Sequence, residues 1–118
     1  MYTESQFYVD GKFFMKELSK VVNNMNRDYK ESYGYDLLKH SRDFIVDFSI
    51  SFKDSNFETK LKCSRHSMEL LNIIDIELNL LKDIHVITLK QFTFLYKYLG
   101  VLLLQLSGWC SSLENKKK

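Results

Sequence analysis

The stretch from Thr88 to Glu114, TLKQFTFLYKYLGVLLLQLSGWCSSLE, constrains this chain more than any other. It contains no proline, and Leu89, Phe92, Leu95, Tyr96, Leu99, Leu102, Leu103, Leu106 and Trp109 recur at helical spacing. A helix lying on one core needs a single apolar stripe. Phe94, Tyr98, Val101 and Leu104 make this one apolar most of the way round. Such a helix is expected to bury one face in its own core and another against a second subunit.

The rest of the chain fits a few long helices. Its 118 residues suggest one domain, spanning 1–118. Proline is absent and glycine occurs only four times, whereas the turns of a sheet protein favour both. Net charge is +2, unevenly spread: residues 1–32 sum to 0, residues 33–87 to −2, and residues 88–118 to +4. A positive carboxyl end suits nucleic acid, although solvated lysines are the commoner cause. Cys63 and Cys110 read as free thiols of a reducing compartment. The amino-terminal MYTESQFYVD is polar and acidic, unlike a secretory signal, so a cytoplasmic location is expected. The uncharged run beginning at Tyr98 falls short of the roughly 20 apolar residues of a membrane span.

Four helices are expected, at about 7–25, 33–52, 56–83 and 88–114, with residues 115–118 a frayed basic tail. The first places Phe7, Phe14, Leu18, Val21, Val22 and Met25 on one face. The segment NRDYKESYG reads as a polar connection. Ser32 or Gly34 opens the second helix, whose buried stripe is Leu37, Leu38, Phe44, Ile45, Phe48 and Phe52. Ser55 or Asn56 caps the third. Asp75 and Glu77 sit in its dense apolar half and need partners, which Lys39 or Arg42 could supply. Thr88 and Gln91 match a capping box at the start of the fourth. Short connections then imply an antiparallel up-down-up-down bundle.

Chemistry-bearing patterns are weak. Cys63 and His66 share a helical face but have no matching half-site for zinc. Asp43 and Asp47 are spaced i,i+4 without the Glu-x-x-His pattern of carboxylate-bridged bundles. Cys110 beside Trp109 reads as packing. His40, His66 and His85 lie on three segments, and His85 suits a helix cap or a solvated connection. No histidine follows Arg27, Arg42 or Arg65 at the four-to-six-residue spacing of small helical ribonucleases. No glycine-rich phosphate loop is present. A non-enzymatic chain without metal or cofactor is therefore expected.

Three stretches together carry a family resemblance: YKESYGYDLLKHSRDFIVDFSISF, MELLNIIDIELNLLKDI and ITLKQFTFLYKYLGVLLLQLSGW. Over roughly Phe14 to Ser111 the chain resembles the accessory variability determinant (Avd) family of bacterial and phage diversity-generating retroelements. Ribosomal RNA intervening-sequence proteins are related to that family. The resemblance implies a homopentameric barrel of four-helix bundles with no catalytic centre. It implies binding of RNA and DNA, with little sequence preference, through basic surfaces. It further implies association with the element's reverse transcriptase, which copies a template-repeat RNA into adenine-mutagenised cDNA. By position, Lys39 and Arg42 match the basic end of the second helix, and Lys82 and Lys90 match the corner between the third and fourth. Lys97 lies two turns further on. These five are the expected contacts to phosphate or polymerase. Tyr98, Val101, Leu103 and Leu104 are the expected oligomer interface. Where family members often carry a basic residue, this chain has Asn79. Five copies of a +2 chain would carry about +10. The alternative is a structural protein-interaction bundle of the same fold with no nucleic-acid role, and a helical nuclease is the third reading.

Overall fold

Capping chemistry sets the helix boundaries. The Asn56 side chain accepts from the Thr59 backbone N–H at 3.0 Å. Thr88 and Gln91 bond reciprocally, Gln91 N to Thr88 Oγ1 at 3.0 Å and Thr88 N to Gln91 Oε1 at 2.9 Å. The capping box read from the sequence is thus present, and Asn56 rather than Ser55 is the other cap. The computed structural model describes the backbone of residues 4–117 and the side chains of residues 6–116. Four long helices follow: α1 (Glu4–Asn23), α2 (Tyr35–Lys53), α3 (Phe57–Asp83) and α4 (Leu89–Lys117). No strand occurs among the described residues. Helix α4 continues through most of the segment expected to fray, and Lys118 lies outside the described residues.

The connection before α2 differs from the sequence expectation. NRDYKESYG is not a loop: Arg27–Tyr29 forms a helical turn and Lys30–Gly34 a π-helical one that runs directly into α2. The α-helix proper begins directly after Gly34, but Gly34 is itself helical and gives no side-chain cap, so the helical run opens further upstream. Asn26 opens it, its side chain accepting from the Asp28 N–H at 3.1 Å. The wide turn is closed by the Tyr35 N–H on the Lys30 carbonyl. Its last residue, Gly34, is buried against Val22 and Met25 of the α1 end.

Cross-helix contacts show that neighbours are antiparallel. Phe7 of α1 meets Phe48 of α2, while Val22 lies beside Gly34. Ser51 of α2 bonds Lys60 of α3, while His40 meets Glu77. Asp75 of α3 meets Tyr96 of α4, while Arg65 meets Glu114. Asp10 of α1 meets Gln105 of α4. Each helix packs mainly on its two sequence-adjacent or terminal neighbours, which is an up-down-up-down four-helix bundle measuring 47 × 23 × 21 Å. Its core runs through Phe14, Leu18, Leu37, Phe44, Ile74, Leu78, Leu95, Leu102 and Leu106. An aromatic stack fills one end: Phe7 on Phe48 at 3.9 Å, Phe48 on Phe52 at 4.8 Å and Phe52 on Trp109 at 4.5 Å.

At the other end, α3 stops with backbone bonds from Val86 N to Leu81 O (2.9 Å) and from His85 N to Lys82 O (3.1 Å). This is a Schellman motif, and His85 occupies its left-handed position at φ 62°. Glycine takes that conformation without a Cβ clash. His85→Gly is expected to raise stability by about 1 kcal/mol, read as a higher urea midpoint at unchanged slope. A lower midpoint would mean that the imidazole has a stabilising contact there.

Candidate nucleic-acid interface

Helical phase brings aromatic and basic side chains together where α1 meets α4. Phe13 of α1 lies 4.8 Å from the Tyr98 ring and 6.4 Å from the Phe94 ring, and the two α4 rings are 5.1 Å apart. Phe13 and Phe94 remain 36% and 42% exposed. Residues three, four or seven apart share a helix face. Lys16 and Lys20 follow Phe13 by three and seven residues, and Lys90 and Lys97 flank Phe94 by four and three. All four lysines are exposed, and Lys97 Nζ lies 5.9 Å from the Tyr98 ring. Two carboxylates oppose them. Glu17 holds Lys20 at 3.4 Å, and Asp10 accepts from Gln105 Nε2 at 2.5 Å. The flank therefore carries a local cationic excess around exposed rings.

The residues singled out in the sequence fall in separate places. Lys90 and Lys97 belong to this flank. Lys82 sits at the α3–α4 corner, its Nζ 4.4 Å from the Phe92 ring, 3.7 Å from Asp83 and 3.5 Å from Asn79 Oδ1. Lys39 and Arg42 are exposed on α2, with Arg42 Nε 3.5 Å from Asp43. Neither supplies the partners expected for Asp75 and Glu77. Glu77 is bonded by His40 Nδ1 at 2.7 Å, and Asp75 accepts from Tyr96 Oη at 2.9 Å and Asn79 Nδ2 at 2.8 Å. His40 lies between Leu37 and Phe44 of the buried stripe, whereas Lys39 is one residue, about 100°, further round.

Of the residues expected at an oligomer contact, Tyr98 has its ring between Phe13 and Phe94 of its own chain, and Val101 is half-buried. Leu103 lines a shallow crevice with Leu71, Tyr96 and Leu99. Leu104 is 63% exposed. Leu89, 70% exposed, also projects outward from α4. A second apolar stripe stands on α3, where Ile73, Ile76, Leu80 and Ile84 are exposed at helical spacing.

The titratable groups form structural pairs. His66 Nδ1 contacts Asp47, and His40 contacts Glu77, so two histidine–carboxylate bridges join α2 to α3. No hydrogen bond joins a histidine ring to a Ser, Thr or Cys side chain among the described residues. Burial pushes the Cys63 thiol up, with Asp47 and Asp54 adding to the effect, and burial likewise raises Cys110. A thiol held protonated is a poor nucleophile. The bond to Asp75 raises the Tyr96 phenol. Among the described residues, no group of three or more His, Cys, Asp or Glu side chains is placed to hold a metal ion. No helix there is long and apolar enough to cross a membrane.

Burial raises the Glu77 carboxyl above its ordinary value, against the opposing effect of its bond to His40. A raised value in the folded state favours the protonated form. The associated stability is full below the ordinary carboxylate range and is lost as pH rises through the folded-state value. Relative to the parent, Glu77→Gln is expected to gain stability as pH rises from the ordinary carboxylate range, about pH 4, through the raised folded-state value, measured by urea denaturation. A difference that stays constant over that range would contradict this.

No protein-family model matches the chain, and no curated protein or solved structure does either.

Proposed function

We propose that this chain is a non-catalytic accessory subunit of a diversity-generating retroelement. In this reading it binds the element's reverse transcriptase and its template RNA or cDNA through basic surfaces, supporting mutagenic retrohoming. The observation that carries the reading is the α1–α4 flank, where Lys16, Lys20, Lys90 and Lys97 surround exposed Phe13 and Phe94. Lysines on helices suit phosphate contacts, which position a nucleic acid without reading its bases. The resemblance in the three quoted stretches supplies the retroelement context.

The two outward apolar surfaces support assembly. The face bearing Leu104 and Leu89 and the stripe of Ile73, Ile76, Leu80 and Ile84 are different surfaces. A contact between them on successive copies is heterologous, and a heterologous contact closes into a ring when its rotation allows. Five members in that ring follow from the resemblance. Leu104→Glu is expected to leave the helical circular dichroism unchanged while lowering the solution mass, because a carboxylate would be buried unpaired only in the assembly. An unchanged mass would remove Leu104 from the contact.

The partner is tested by co-expression with a reverse transcriptase encoded beside this gene. Co-purification at low salt that weakens as salt rises is expected. A polymerase that elutes alone at low salt would sink the accessory role. The protein-interaction reading is favoured by one observation, the exposed aliphatic stripe on α3, which suits a protein partner as readily as a second copy. It predicts an oligomer or complex that ignores RNA at every salt concentration.

A further inference from the structure

We infer that the α1–α4 flank takes single-stranded nucleic acid in preference to duplex, with bases stacked on Phe13 and Phe94 and phosphates held by the lysines on either side. This rests on the nucleic-acid reading above and specifies its ligand. Three features argue for it. The first is exposure. Rings buried in a core have no free face, whereas Phe13 and Phe94 each keep more than a third of their surface open beside the partly buried Tyr98. A base can stack on such a ring only when its own face is free, as in a single strand; in a duplex the neighbouring pairs cover it.

The second is the arrangement of charge. Lys16 and Lys20 extend about 10 Å along α1 from Phe13, and Lys90 to Lys97 cover a similar length of α4. The aromatic seam therefore runs between two basic rows, which is how proteins that bind single strands without sequence preference combine a positive groove with stacking rings. The third is the charge of the competing occupant. A second copy docking the same flank face to face would bring eight lysines together, four from each chain, against Asp10 and Glu17 of each. The exposed Tyr29–Tyr33 pair lacks these features. Tyr29 and Tyr33 are stacked on each other at 6.1 Å, and the nearby Arg27 is engaged by Glu31 at 3.2 Å with Asp28 and Glu31 alongside.

The test is fluorescence anisotropy with a labelled oligouridylate and with an RNA duplex of equal length, on the full chain at low salt. Single-strand binding at least about tenfold tighter than duplex binding is expected. Phe13→Leu/Phe94→Leu keeps apolar volume and removes both rings. It is expected to weaken single-strand binding by about tenfold per ring while leaving the salt slope intact. Phe13→Tyr/Phe94→Tyr, which restores rings, should bind like the parent, and circular dichroism of all variants should coincide. Lys16→Gln/Lys97→Gln should instead flatten the salt dependence, by about 0.7 in slope per lost phosphate contact. If the leucine variant folds and binds as the parent does, or if duplex binds equally well, stacking on this flank is overturned while the nucleic-acid function stands. If the leucine variant misfolds, single Phe94→Leu decides by the same criteria. If the parent binds neither RNA, this inference and the proposed function fall together.

Discussion

Phe48→Ala is expected to destabilise the bundle by about 3–5 kcal/mol. Phe48 is fully buried and lies at the centre of the aromatic end, touching Phe7 at 3.9 Å, Phe52 at 4.8 Å and Phe44 at 6.3 Å. Phe52 passes the contact on to Trp109 of α4. Removing the ring opens a cavity between α1 and α2 and loosens the stack that ties α4 to them. The rigid surroundings limit collapse. Trp109 Nε1 donates to Ser51 Oγ at 2.8 Å, and Lys60 Nζ donates to the Phe52 carbonyl at 2.8 Å at the end of α2. The urea midpoint of the variant should fall accordingly, with Trp109 fluorescence reporting a changed environment before unfolding. A loss below about 1 kcal/mol would mean that the aromatic end repacks, with little cavity left.

Gly34→Ala should also destabilise, although alanine is the better helix former. A Cβ at Gly34 would stand 2.7 Å from Val22 Cγ1 and 3.2 Å from Met25 Sδ. Val22 is buried and β-branched, so its methyl cannot swing away, whereas Met25 can. Overpacking of this kind costs about 1–3 kcal/mol and exceeds the gain of up to about 1 kcal/mol from helix propensity. The same substitution at Gly100 or Gly108 has the opposite sign. A Cβ at either meets nothing within 4 Å, so each alanine should stabilise the protomer by about 0.5–1 kcal/mol. If the outer face of α4 packs on a second copy, Gly100→Ala and Gly108→Ala should also reduce the fraction assembled. Thermal denaturation with light scattering separates the two effects. A Gly34→Ala protein as stable as the parent would show that the α1 end yields freely to the new methyl.

The parts legible from the sequence are those set by local chemistry. Apolar residues three and four apart defined α3 and α4, and the reciprocal Thr88–Gln91 bonds were visible because both partners lie within one turn. The lead-in to α2 was not legible. Its residues are mostly polar and read as a loop, and the tight approach of Gly34 to Val22 depends on chain folding, not on neighbours in sequence. The spacing of Tyr29 and Tyr33, four apart and stacked, was the available sign. Partner choice failed for the same reason. Lys39 and Arg42 were plausible by charge, yet the phase of α2 turns His40 toward Glu77. At the candidate interface, Lys90 and Lys97 came from the sequence, while Phe13, Lys16 and Lys20 emerged only when α1 was laid against α4. No pattern within one helix encodes that juxtaposition.

The aromatic and basic flank adjoins the outward face of α4, where Lys90, Lys97 and Leu104 follow one another at seven-residue steps, whereas the apolar stripe of α3 lies apart from it. A ring of copies would repeat each flank around the assembly and multiply its modest charge. The decisive measurement is the solution mass by light scattering at low and high salt, with and without a single-stranded RNA. The expected result is a mass near five chains that increases with RNA at low salt and returns to its RNA-free value at high salt. A monomer, or an oligomer whose mass ignores RNA at low salt, would contradict the proposed function.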